Sequence, residues 1–213
     1  MPRLMDLAME RLTNLLLEMG DLSRKTVLSA LDAYTAGTSH LEVETASTRL
    51  KKLDDQVSEI AIELIARFQP VASDLRYIKA SLEISYGFYR YGRYAHDIME
   101  VLQTFGDLTK CSPEVVAGAA EKTNEMIRLS VEAFANQDVE LARTIITMDD
   151  YVDSAYRDYI KKLMKSKKVD IRCALSETLI LRYLERIADH AVYIANSVIF
   201  IVKGEEPSAA DRS

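Results

Sequence analysis

Tryptophan is missing altogether, and the 213 residues include only 7 Gly, 4 Pro, 3 His and 2 Cys. The shortage of Gly and Pro is the most informative. A β-rich chain turns every ~8–12 residues, and most turns call for Gly, Pro, Asn or Asp at defined positions. An all-β protein is therefore excluded, and a mostly helical chain is expected. The two cysteines, Cys111 and Cys173, have neither close spacing nor nearby histidines. That spacing argues against a thiolate metal site and leaves two reduced thiols as the expectation. Positive charge is not in excess either: 27 basic residues against 33 acidic give a net charge of −6. A nucleic-acid partner, which calls for a basic excess, is not expected. The longest nearly apolar run, residues 191–202, is broken by Asn196 and Ser197, well short of the ~20 residues that span a bilayer. The first residues, Met1-Pro2-Arg3-Leu4-Met5-Asp6, lack the order of a signal peptide. A soluble, cytoplasmic protein that meets membranes only through partners is expected.

What is present is helical punctuation. Apolar residues make up 48% and charged residues 28%, an ordinary globular composition. The first helix is predicted over 3–36, ending at Gly37. Ser39 and Glu42 have the spacing of a capping box, starting a second helix that ends near Phe68, because Pro70 disfavours helical geometry at Gln69. The third is predicted from Ser73-Asp74 to Phe105-Gly106. Ser112-Pro113-Glu114 starts the fourth, with a capping hydroxyl, Pro at the first position and an early acid. The fourth ends near Asn136, the fifth covers 138–164, and the sixth 170–203 after the exposed link Lys165-Ser166-Lys167-Lys168. In the sixth, Leu175, Leu179, Tyr183, Ile187, Ala191, Ile194 and Val198 form one apolar stripe. Helices of ~30 residues are ~45 Å long and are stable only when such stripes are buried.

The chain also repeats itself. At an offset of 96, Asp74-Leu75-Arg76 matches Asp170-Ile171-Arg172, and Ile84, Arg90, Ala95 and Ile98 match Ile180, Arg186, Ala191 and Ile194. At an offset of 95, Leu53-Asp54-Asp55-Gln56-Val57 matches Met148-Asp149-Asp150-Tyr151-Val152. The reading is an all-α fold of six long helices, arranged as two similar three-helix bundles. The first unit spans residues 1–107, the second 111–203, and 204–213 form a polar tail.

Chemistry concentrates in the second unit. Asp149 and Asp153 share a face of the fifth helix, with Asp150 alongside, and Glu185 and Asp189 repeat the spacing on the sixth. Carboxylates facing one another repel unless a cation neutralises them. Oxygen donors suit hard cations such as magnesium, calcium, manganese or ferric iron. In the first unit the equivalent positions are Asp54, Ser58, Tyr89 and Arg93, so a metal is expected in the second unit and an arginine beside Asp54 in the first. His190 is expected at a surface or interface, not as a ligand. Tyr86, Phe88, Tyr89, Tyr91 and Tyr94 surround one helix, so some are core and some exposed. Packing between the bundles or in a dimer interface is the first expectation for this cluster, and docking of a protein partner, which exposed tyrosines favour, is the second; Tyr89, Arg90, Arg93 and Arg76 are the candidates for partner contact. Turnover is not expected. There is no Gly-rich phosphate loop and no activated nucleophile, and no His has Glu three residues before it, as helical di-metal oxidases require.

Gln69-Pro70-Val71-Ala72-Ser73-Asp74-Leu75-Arg76 resembles the link between the second and third helices of PhoU proteins. Leu184-Glu185-Arg186-Ile187-Ala188-Asp189-His190-Ala191 resembles the signature of their last helix, and Asp149-Asp150-Tyr151-Val152-Asp153 the acidic motif of the preceding one. The resemblance covers residues 4–205. It implies two three-helix repeats, a cytoplasmic homodimer, and regulation of high-affinity phosphate uptake and the starvation response. The implied partners are the ATPase subunit of the phosphate ABC transporter and a sensor kinase. It implies too a metal cluster (iron, manganese, magnesium or zinc) on acidic i, i+4 motifs, matched here only in the second repeat. Other family modules serve other ion transporters, which is the alternative reading.

Overall fold

The computed structural model describes residues 4–36, 41–108, 111 and 114–205. They form six helices, with no strand among the described residues: α1 (Leu4–Ala36), α2 (Leu41–Phe68), α3 (Ala72–Phe105), α4 (Glu114–Asn136), α5 (Val139–Lys165) and α6 (Ile171–Lys203). The predicted caps at Ser39 and Ser112-Pro113, and the tail beyond residue 205, lie outside the described residues.

Local chemistry accounts for the ends that can be seen. The carboxylates of Asp138 and Asp170 each accept two backbone N–H bonds at the starts of α5 and α6, meeting donors that a helix leaves orphaned. The third helix starts at Ala72, slightly before the predicted Ser73-Asp74, and its N-cap Val71 makes no side-chain cap bond. Beyond the ends of α2 and α4, Gln69 and Gln137 take left-handed geometry, with φ of 47° and 50°.

Helices α1, α2 and α3 pack on one another, as do α4, α5 and α6, and the two bundles meet mainly along α3 and α6. These two run antiparallel. Glu83 accepts a hydrogen bond from Ser197 Oγ at 3.0 Å, Tyr94 stacks on Tyr183, and Lys79 lies over the Phe200 ring at 4.6 Å. Ile84, Phe88, Tyr91, Ala95 and Ile98 of α3 and Ile180, Leu184, Ile187, Ala191, Ile194 and Val198 of α6 are fully sealed from solvent.

The predicted α6 stripe needs correction at its start. Leu175 and Leu179 are exposed, and Ala174, Ser176, Leu181 and Leu184 are buried instead. A strict four-residue step advances the side chain ~40° around a helix of 3.6 residues per turn, so 175, 179 and 183 walk off the core face.

The cysteines also depart from expectation. They are not free thiols: Cys111 and Cys173 form a disulfide, with Cα atoms 5.4 Å apart across 62 residues of sequence. The link between α3 and α4 returns to the first turn of α6, a proximity invisible in linear spacing.

Candidate metal centre

Asp149 and Asp153 sit on one face of α5, and Glu185 and Asp189 on the facing part of α6. All four are half-buried, whereas Asp150 is exposed. Burial raises the Asp149 carboxyl to about 7, helped in order by the charges of Asp153, Asp189, Asp150 and Glu185. Burial likewise raises Glu185 and Asp189, against the opposing pull of Arg182 and Arg186. The five carboxylates therefore share one electrostatic neighbourhood.

Arginines hold three of them. Arg157 pairs with Asp153 at 3.1 Å, Arg186 lies 3.8 Å from Asp189, and Arg182 pairs with Glu185. Asp149 differs: its Oδ1 is buried without a hydrogen-bond partner. An orphaned carboxylate oxygen among other carboxylates fits a hard cation, because only oxygen donors surround it. These carboxylates are not among the described groups that bring three ligand atoms within 4.8 Å of one another.

The first repeat resolves its remaining acid differently. Ser85 Oγ donates to Asp54 Oδ1 at 2.8 Å, and Lys51 lies 3.7 Å away. Arg93, the expected neighbour of Asp54, pairs instead with Asp97 at 2.8 Å. The helical i, i+4 reach along α3 outweighs the inter-helix contact. Beside Arg93, one turn of α3 gathers His96, Asp97 and Glu100.

Tyr86 is exposed, Phe88, Tyr91 and Tyr94 are buried, and Tyr89 is half-buried. The Arg90 guanidinium lies over the rings of Tyr86 and Tyr94 and donates to the Tyr94 hydroxyl, while Lys51 lies over the Tyr89 ring. His190 faces Tyr86 and Tyr94 across the α3–α6 seam. Burial there pushes its pKa down to about 4, with Arg90 and Arg186 adding to the effect. It is a neutral interface histidine.

Arg76 stands elsewhere. A Cβ built on Gly204, past the end of α6, would lie 3.3 Å from its Cζ. The equivalent Arg172 reaches the end of α3, where it donates to the Asp107 carbonyl at 2.5 Å. Each central helix thus starts with an arginine at the negative C-terminal end of the other. Linear reading missed this exchange, although the matched Asp-x-Arg triplets were visible in the repeat. It also missed Glu177, a buried glutamate that accepts a hydrogen bond from Tyr159.

Comparison with known proteins bears on both repeats. The PhoU domain model matches residues 16–102 and again 116–198. The phosphate-specific transport system accessory protein PhoU homolog 1 of Methanothermobacter thermautotrophicus is 30% identical over 209 residues, spanning 93% of this chain and 95% of its own length. A PhoU homolog of the same description from Pseudomonas aeruginosa is 31% identical over 200 residues, spanning 90% and 82%. The crystal structure of PhoU from Pseudomonas aeruginosa superposes with a TM-score of 0.84 at 29% identity, covering 93% of this chain and 98% of that one. The phosphate transport system regulatory protein PhoU from Streptococcus pneumoniae also gives 0.84, at 21% identity over 96% and 99%, a likeness of fold alone.

Proposed function

The chain belongs to the PhoU family, and from that membership we propose that it is a cytoplasmic, non-enzymatic regulator of high-affinity phosphate uptake and phosphate-starvation signalling. The observation that carries this reading is coverage: both repeats match, over nearly the full length of relatives named for phosphate-specific transport. The regulator works, as a homodimer, by contact with the ATPase subunit of the phosphate ABC transporter and with a sensor kinase. The exposed part of α3 supports a contact role: Tyr86 and Arg93 are open to solvent, and Tyr89 and Arg90 are half-buried beside them. No helix among the described residues is long and apolar enough to cross a membrane, in keeping with a membrane role exercised through partners.

The same reading places a hard metal ion at Asp149, Asp153, Glu185 and Asp189, with Asp150 at its rim. When bound, the cation supplies positive charge that lets neighbouring carboxylates ionise together. Asp149 offers the oxygen that lacks a protein partner, and Arg157, Arg182 and Arg186 position the other three.

Crosslinking in intact cells, under phosphate excess and under starvation, tests the reading. Capture of the phosphate-transport ATPase in excess only is the expected result. Capture of another ion transporter's ATPase would move the assignment to that system, and capture of no transporter component would overturn it.

A further inference from the structure

The disulfide lies in a setting that a structural cross-link does not require. Cys111 Sγ, Cys173 Sγ and a carboxylate oxygen of Glu177 all lie within 4.8 Å of one another. Cys173 and Glu177 share one face of α6 at i, i+4, and Cys111 comes from the link between α3 and α4. Glu177 is only 4% exposed, which is costly for a carboxylate unless partners neutralise it. Tyr159 donates to it from α5. Tyr34, at the end of α1 and 5% exposed, keeps its hydroxyl buried without a hydrogen-bond partner, within electrostatic reach of Glu177. Two sulfurs, a sealed carboxylate and an unpartnered phenol converge from three parts of the chain, the α3–α4 link, α6 and α1. Two cysteines so far apart in sequence carry no metal signature, but the fold supplies the proximity that spacing lacked.

We propose that Cys111, Cys173 and Glu177 form a redox-gated site for a thiophilic divalent cation of the zinc type, closed in the disulfide form and opened by reduction. The two thiolates and the carboxylate supply three protein ligands. The fourth position of a tetrahedral ion falls to water or to a neighbouring phenol. The steps balance. A thiolate of an external dithiol attacks Sγ of Cys173, the half-buried partner, and expels the Cys111 thiolate. The dithiol's second sulfur then releases Cys173 and leaves as a disulfide. Two electrons have passed from the dithiol to the protein, and both thiols are free. Binding of the divalent ion displaces the two thiol protons to solvent. Disulfides in a reducing compartment are typically transient or redox-sensing, the behaviour such a site requires.

The test uses the full chain, reduced with a dithiol, freed of it by anaerobic gel filtration, and titrated with Co²⁺ and then Zn²⁺. The expected result is thiolate-to-cobalt charge-transfer absorption, bleached by Zn²⁺ and absent from the oxidised chain and from reduced chain alkylated at its thiols. Glu177→Gln should weaken the affinity by about tenfold or more. Glu185→Ala should leave the absorption unchanged, because it belongs to the carboxylate centre on α5 and α6. No charge-transfer absorption in the reduced chain would overturn the proposal, as would equal absorption in the Cys111→Ser/Cys173→Ser variant. Should that variant fail to fold, the alkylated wild-type chain makes the same comparison.

Discussion

At the scale of single residues, Asp149 is a group whose charge the fold makes costly to keep. Its carboxyl is raised to about 7 by burial first and then by neighbouring carboxylates. Without metal, the folded chain therefore holds a proton that the unfolded chain releases near pH ~4. Stability from this group is complete below that unfolded value and is lost as pH rises towards 7 and through it. The slope should not exceed about 1 kcal/mol per pH unit, because the group is half-buried and screened. Thermal unfolding of metal-free protein should show a midpoint falling between about pH 4 and pH 7, with Asp149→Asn flattening that fall. A second residue-scale outcome concerns metal content, read by elemental analysis of the purified chain. Glu185→Ala should lose most bound hard metal and Asp54→Ala none, because Asp54 already has Ser85 and Lys51 as partners. Equal losses from both variants would contradict a site confined to the second repeat. The acidic spacing was legible in sequence because i, i+4 geometry is local. The arginines' choice of partner was not: Arg93 had both an inter-helix and an intra-helix acid to choose from.

At the scale of helices, ends and close approaches matter most. Asp138 meets the backbone N–H groups of Glu140 and Leu141 at 2.8 and 3.0 Å. Asp138→Ala should cost about 1 kcal/mol, read as a lower urea midpoint with an unchanged slope. On α3, a Cβ at Gly87 would lie 2.7 Å from Ile194 Cγ1 and 2.8 Å from its Cδ1. Ile194 is β-branched and stiff, so Gly87→Ala should destabilise by about 1–3 kcal/mol. In an Ile194→Ala background most of that penalty should vanish; if it persists, a clash along the α3–α6 seam is not its cause. The helix boundaries were readable because capping, Pro and periodicity act over a few residues. The face that each helix buries was readable only in part. Leu175 and Leu179 fell outside the core because a regular apolar step drifts around the axis.

Across the whole molecule, one long-range tie closes the second repeat on itself and others join the two repeats. The disulfide fastens the start of the second repeat to α6 across 62 residues. Closing a loop of that length constrains the unfolded chain and stabilises by about 2–4 kcal/mol. Cys111→Ser/Cys173→Ser should therefore lower the urea midpoint by a corresponding amount in metal-free protein; an unchanged midpoint would show that the cross-link does not stabilise the native state. Arg76 and Arg172 act in the same direction, each at the C-terminal end of the other repeat's central helix. The internal repeat was visible as matched residues at an almost constant offset, but the antiparallel packing of α3 on α6 was not.

By itself the sequence determined the helical class, the number of helices, most of their ends, the duplication and the family. All of these rest on interactions between residues a few positions apart, or on patterns repeated at a fixed interval. Tertiary structure alone decided that Cys111 meets Cys173 beside a buried Glu177, that Arg93 turns to Asp97, and that Arg76 and Arg172 exchange helix ends. Those contacts depend on how each helix is rotated and slid against its neighbour. Residue spacing along the chain leaves both free, and only close packing of the six helices selects one arrangement.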